Sequence, residues 1–321
     1  MSKRLLTMLV LLVAVVSGAW AQAQTYKVTL QEGTEDAKNW TVPAEAAEGA
    51  TVTATYNGSK KVKSVKAVKK AAADNTYQKW DADQKKLVAT DIPTEVTTVE
   101  NNSNDYVEWA AGTYVVEGEV TINGQITLSG NVDLIIKDGA KLTVNNYISG
   151  SSKNLSIFGQ SNQTGELVVN SSYNVIESIN TLEVHSAKVK ATASEDNCSG
   201  FYNISTFNVY GGSVDAENTG DYGNGILLAS SGKMKIYGGD VKALGKGNKF
   251  GITGSITTVT VYGGKLWAGC ANNKAINDSN VTLEKGAGFT GKIEHSGNGE
   301  SWDDWGTTPG TPGTHYVRVG Y

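Results

Sequence analysis

Phe207-Asn208-Val209-Tyr210-Gly211-Gly212 returns as Met234-Lys235-Ile236-Tyr237-Gly238-Gly239 and again as Val259-Thr260-Val261-Tyr262-Gly263-Gly264. Each copy alternates apolar and polar side chains and then breaks on a glycine pair, the pattern of a short half-buried strand running into a turn. Toward the N-terminus the same element is written Leu182-Glu183-Val184-His185 and Leu155-Ser156-Ile157-Phe158-Gly159, so that the five copies stand 27, 25, 27 and 25 residues apart. Leu134-Ile135-Ile136-Lys137-Asp138-Gly139 and Val281-Thr282-Leu283-Glu284-Lys285-Gly286 extend the series by steps of 21 and 22 residues.

Every unit carries a second strand, as in Val189-Lys190-Ala191, Val214-Asp215-Ala216, Val241-Lys242-Ala243 and Leu266-Trp267-Ala268, and a third apolar position at Phe201, Ile226, Ile252 and Ile276. Three short strands with one apolar residue in two cannot bury their faces alone; they bury them by stacking on the next unit. Upstream, Val120, Ile126 and Val132 recur every six residues, one strand and one turn at a time. No proline interrupts the chain between Pro93 and Pro309, so a continuous backbone ladder loses no donor. The expected fold is all-β: a right-handed parallel β-helix of about seven to eight coils over 107–296. Leucine-rich repeats are the competing architecture, but their Leu and Asn spacing and any helical stretch are missing.

The opening Gly112-Thr113-Tyr114-Val115-Val116-Glu117-Gly118-Glu119-Val120 and the Val-Tyr-Gly-Gly coils resemble the pectin-lyase-like β-helix superfamily, and within it exported bacterial proteins described as carbohydrate-binding. The resemblance covers 107–296 and implies the fold more than an activity, because this scaffold hosts lyases, hydrolases, adhesins and stalks alike. A small antiparallel β module is expected over 24–70, where Tyr26-Lys27-Val28 and Thr51-Val52-Thr53 alternate and Asn57-Gly58 favours a type I′ hairpin. Over 26–68 it resembles the internalin-type B-repeat, which implies a spacer or adhesion role. The polar stretch 71–106 reads as a linker with one hairpin near Ala82-Asp83, and 297–321 as a loop followed by a capping strand.

The chain starts with Lys3 and Arg4, an apolar run at 5–16 and the small residues Ala19, Ala21 and Ala23, which is the layout of an export signal spanning 1–21, or 1–23 by the alternative cleavage. The apolar run is too short to span a bilayer, and no later one is longer. Export to the surface or periplasm of a Gram-negative bacterium is the expected location. Loss of Lys3 and Arg4 leaves 26 basic against 32 acidic residues, moving the formal charge from −4 to −6. With Arg318 then the sole arginine, a nucleic-acid partner is not expected. Cys198 and Cys270 fall three coils apart in the repeat, too far for a bridge, so free thiols are expected.

Strand alternation turns Phe158, His185, Tyr210, Tyr237 and Tyr262 outward, one ring per coil. Such a strip is expected to stack on sugar rings, with Asn208, Lys235 and Thr260 beside it for hydroxyl groups and Trp267 on the adjoining face. The alternative is that the rings simply stabilise neighbouring coils. The expected partner is therefore a polysaccharide or host glycan, with surface proteins as the alternative for an adhesive stalk. A lyase or hydrolase is the least favoured class: no arginine lies in the coils, and paired-Asp and His-Gly signatures are missing. Lys190, Asp215 and Lys242 fit an ion-pair ladder better than a catalytic set, and Asp303, Asp304 and His295 fit a solvated loop. The loops at 217–225 and 277–280 carry oxygen ligands for Ca²⁺ without calcium-coil spacing, so no cofactor is expected.

Overall fold

A computed structural model describes residues 75–304 and 315–321, together with 11–14, 25–29, 37–43, 45–47, 55–59 and 68–69. The chain divides into two compact units, Met1–Asn75 and Thr76–Tyr321. The larger is a parallel β-solenoid of about seven turns. Each turn contributes one strand to three faces. Face A begins with Tyr106–Trp109, Gln125–Leu128 and Ile148–Ser149; face B with Gly112–Val116, Val132–Ile136 and Asn154–Phe158; face C with Glu119–Ile122, Lys141–Val144 and Glu166–Ser171. Thr97–Thr98 already pairs in parallel with face B, so the solenoid starts inside the stretch expected to be linker.

Register explains the core. On face A, Ile126, Ile148, Ile176, Phe201, Ile226, Ile252 and Ile276 lie directly above one another, each at most 3% exposed. On face B the inward column runs Leu155, Leu182, Phe207, Met234, Val259 and Leu283. Face C compensates in volume. Its column changes from Ile122, Val144 and Val169 to Ala191, Ala216, Ala243 and Ala268, and in the coil of Ala216 the Phe201 and Phe207 rings, 5.1 Å apart, fill the interior.

The glycine pair after each tyrosine divides its labour. The second glycine, Gly212, Gly239 or Gly264, has φ of 68°, 75° or 70°, which only glycine adopts without strain. The first allows close approach: a Cβ on Gly211, Gly238 or Gly263 would lie 2.4–2.6 Å from the carbonyl oxygen of His185, Tyr210 or Tyr237 in the preceding coil.

At the far end, Tyr316–Val319 inserts antiparallel between Lys265–Cys270 and Ile293–Ser296, with Val317 and Val319 fully buried. Asp303–Asp304 is not a free loop; it pairs with His295 and Glu294 as the outermost strand, both aspartates remaining exposed. Both thiols are unbridged.

In the smaller unit, Thr25–Thr29 pairs with Leu11–Ala14 and with Glu45–Ala47, and Trp40–Thr41 pairs with Thr55–Tyr56. Leu11–Ala14 belongs to the run read as an export signal, so cleavage after Ala21 would leave the other pairings. The type I′ turn is not formed. Neither Asn57 nor Gly58 has a positive φ; Asn57 N–H donates to the Asn39 carbonyl at 2.8 Å, tying this segment back to the Trp40 strand. Most of the expected strand at 51–56 lies outside the described residues.

Deleting 315–321, or placing a charge in its core with Val317→Asp, exposes the last coil. Val317→Asp should cost about 3 kcal/mol or more, read as a lower melting temperature and loss of monodispersity in size-exclusion chromatography.

Candidate functional site: the aromatic corner

Phe158, His185, Tyr210, Tyr237 and Tyr262 stand where face B turns into face C. Their ring centroids follow one another at 4.4, 4.7, 5.2 and 4.8 Å, with interplanar angles of 18°, 28°, 19° and 7°. Nearly parallel rings this close overlap face to face in offset stacks; rings lying side by side in one plane would stand farther apart. Each ring therefore spends its faces on its neighbours. The expected strip of flat faces offered to sugars is corrected to a strip of ring edges and hydroxyl groups.

A second correction concerns cover. The hairpin Thr76–Asp81 and Lys86–Asp91 is packed along the N-terminal half of this column. Its backbone is pinned by hydrogen bonds: Gln78 N–H donates to the Gly159 carbonyl at 2.9 Å, Ser186 Oγ to the Gln78 carbonyl at 3.3 Å, Gln160 Nε2 to the Thr76 carbonyl at 3.0 Å, and Trp80 N–H to His185 Nδ1 at 2.9 Å. Its rings complete the stack. Tyr77 meets Phe158 edge-on at 4.7 Å, and Trp80 lies 5.1 Å from Tyr210 and 5.4 Å from Tyr237. With Ile92, Val115 and Ile135, Tyr77 and Phe158 form a small second core outside the solenoid. Phe158 and His185 are consequently 2% and 3% exposed, Tyr210 and Tyr237 are half-buried, and Tyr262 alone reaches 36%.

Beneath the hairpin the polar groups are tied to one another. His185 Nδ1 accepts from a backbone amide, which leaves its proton on Nε2, 3.5 Å from Glu183 Oε2. Glu183 Oε1 also accepts from Asn208 Nδ2 at 3.1 Å and from the Tyr210 hydroxyl at 3.0 Å. The neighbouring imidazole first, then these donors, hold the Glu183 carboxyl down at about 2 against the burial that would raise it. Burial, followed by the Glu183 charge, pushes the Tyr210 phenol up. Thr260 is buried and donates to Glu284 Oε1 at 2.8 Å. Of the three polar residues expected to meet sugar hydroxyls, Asn208 and Thr260 thus serve inter-coil bonds, and Lys235 is left over.

Trp267 lies on the outer side of face C, in register between Lys242 and Arg318, with Tyr316 at 5.5 Å. Sequence reasoning did not assemble its surroundings: Arg318 sits 4.2 Å over the Trp302 ring, and Lys265 Nζ 5.0 Å over Tyr321, which is 52% exposed. Nor did it place Tyr77 and Trp80 on the column, although two aromatic residues in a polar segment were the available signal.

Lys190, Asp215 and Lys242 lie in one outer column of face C. Lys190 pairs with Glu217 at 3.3 Å, and Lys242 approaches Asp215 at 4.0 Å, as expected of a cross-strand charge ladder. Among the described residues no group of three or more His, Cys, Asp or Glu could hold a metal ion. A shallow depression beside Tyr202, Leu227 and Thr253 lies on face A and is too open to enclose a ligand. Comparison of the chain with protein-family models, with curated proteins and with solved structures finds no match.

Two outcomes follow for the covered part of the column. Trp80→Ala should lower stability by about 3 kcal/mol, measured by chemical denaturation. The Glu183 carboxyl sits at about 2 when folded against an ordinary 4.5, so its contribution is complete above the ordinary value and is lost as pH falls through that window. Glu183→Gln should remove on the order of 2 kcal/mol near neutral pH and flatten the acid limb between about pH 5 and 2.

Proposed function

We propose that this is an exported, non-catalytic carbohydrate-binding β-solenoid, akin to the pectin-lyase-like superfamily, whose binding edge is the uncovered C-terminal end of the aromatic corner. The observation that carries the reading is the exposure there of aromatic edges among hydrogen-bond donors: Tyr262 and Tyr321 are the large exposed aromatics of the last coils, Lys265 lies over the Tyr321 ring, Lys235 is in register with Thr260 two residues before Tyr262, and Trp267 is the register partner of Arg318. An exposed ring edge with its hydroxyl, beside a few polar donors, offers a sugar an apolar contact and partners for its hydroxyls. Phe158, His185 and Tyr210 have no part in this edge, because the hairpin holds them. The small N-terminal unit acts as a spacer.

A second reading has its own support. Ring faces consumed by one another and by Trp80 are what a purely structural spine requires, and a stalk with protein partners uses its length rather than a sugar site.

A glycan array probed with the signal-free chain separates the two. Tyr262→Ala and Trp267→Ala should each weaken binding by about tenfold, equivalent to ~1.4 kcal/mol. Tyr173→Ala, an exposed ring on another edge, should change nothing. An array with no bound glycan, or binding indifferent to Tyr262 and Trp267, favours the stalk.

A further inference from the structure

The anchors of the hairpin over the aromatic corner differ in chemistry. Those at Thr76 and Gln78 join amide and hydroxyl donors to backbone carbonyls, and none of these groups titrates. The anchor at Trp80 is of another kind. Its N–H donates to His185 Nδ1 at 2.9 Å, and an imidazole nitrogen accepts only while it carries no proton. Turning the ring does not help a protonated His185, because both nitrogens of an imidazolium are donors. The side chain has no room to leave either: it is buried between the Phe158 ring at 4.4 Å and the Tyr210 ring at 4.7 Å. Protonation therefore sets two donors against each other with no acceptor between them.

The charged and titratable groups around His185 divide by element. On the solenoid, Glu183 Oε2 lies 3.5 Å from His185 Nε2, and Asp133 stands two coils earlier in the same outer column as Glu183, exposed to solvent. Both draw a proton onto the ring whether the hairpin is closed or open. Tyr210 gives its hydroxyl to Glu183 and stays neutral, its phenol pushed up by burial. The hairpin brings the Trp80 N–H dipole and the exposed Lys79 cation, which both oppose a charged ring, and Tyr77, whose phenol is likewise pushed up by burial. Asp81, next in sequence to Trp80, is turned into the hairpin tip, where it accepts from the Asp83 and Gln84 amides. What the solenoid contributes favours the imidazolium, and what the closed hairpin adds disfavours it.

We infer that the hairpin is an acid-released strap: protonation of His185 detaches Trp80, frees the tip of the hairpin and uncovers Tyr210 and Tyr237. A bond made only to the neutral ring is complete at high pH and is lost as the ring takes up its proton, which imidazoles as a class do between about pH 8 and 5. Glu183, held at about 2, stays ionised throughout that range and is not the group that responds. The anchors to backbone carbonyls persist, so the hairpin pivots about Thr76 and Gln78 and stays attached there. The strap acts on the fold itself and does not depend on what the corner binds.

The test is hydrogen–deuterium exchange of the signal-free chain, read by mass spectrometry at about pH 7.5 and about pH 5 and corrected for the intrinsic exchange rate. We expect protection of the peptide from Trp80 to Leu87 to fall about tenfold at the lower pH, while Thr257–Val261 and Lys265–Cys270 of the solenoid keep theirs. His185→Phe leaves a flat ring in the stack and offers no acceptor, so its hairpin should be poorly protected to the same degree at both pH values. Asp133→Asn should keep the wild-type step, and it decides the matter if the phenylalanine disturbs folding. Equal protection of the wild-type hairpin at the two pH values overturns the inference. A parallel loss across the solenoid is acid unfolding of the whole and overturns it too. A step that persists in His185→Phe, or that vanishes in Asp133→Asn, assigns the response to the attraction between Lys79 and Asp133 and overturns it as well.

Discussion

Vertical register between successive coils is the constraint on which the rest of the molecule depends. Because side chains alternate along a strand, a slip of one residue would carry a whole inward column to the outside. The column from Ile126 to Ile276 forbids that slip in every coil, since each member buries its side chain only between the members above and below. Once the inner columns are fixed, the outer ones follow without further choice. The rings of the aromatic corner, the alternating charges of face C and the polar residues of face B are then neighbours through the fold, although some 25 residues separate them in the chain.

The same constraint limits what the outer columns can do. Rings placed one per coil at the strand spacing come into stacking contact with one another, and a ring face in contact with its neighbour is closed to a ligand. The protein extends this closure by laying Tyr77 and Trp80 of the hairpin against the column and anchoring them through His185. At Phe158 the external row thereby joins a second, smaller core with Tyr77, Ile92, Val115 and Ile135. Only where the hairpin ends does the corner reopen, at Tyr262.

The repeat was legible because its cause is local: alternation, glycine pairs and a missing proline are all visible within a 25-residue window. The C-terminal strand was legible for a similar reason, its Tyr316, Val317, Arg318 and Val319 alternating at the end of a repeat that needs closing. The cover over the aromatic column was not. Thr76–Asp81 reaches Gly159 and His185 across separations of 81 and 105 residues, and a polar hairpin with two aromatic residues carries no mark of its destination. Ring orientation was equally out of reach, since alternation says which side of a strand a side chain leaves from and nothing about the plane of its ring. Even the glycine pair was half legible: positive φ marks the second glycine, whereas the first is dictated by a carbonyl in the preceding coil.

In-register stacking is tested most directly by covalent linkage between coils. Thr258 and Thr282 are register partners on adjacent face B strands with outward side chains, so cysteines at both positions should form a disulfide under mild oxidation. The pair Thr258→Cys with Glu284→Cys is offset by two residues, roughly 8 Å between Cα atoms, and should stay reduced. Disulfide yields read by mass spectrometry in a Cys198→Ser, Cys270→Ala background should be high for the first pair and negligible for the second. The reverse order, or equal yields, would contradict the stacking from which the core and the aromatic corner both follow.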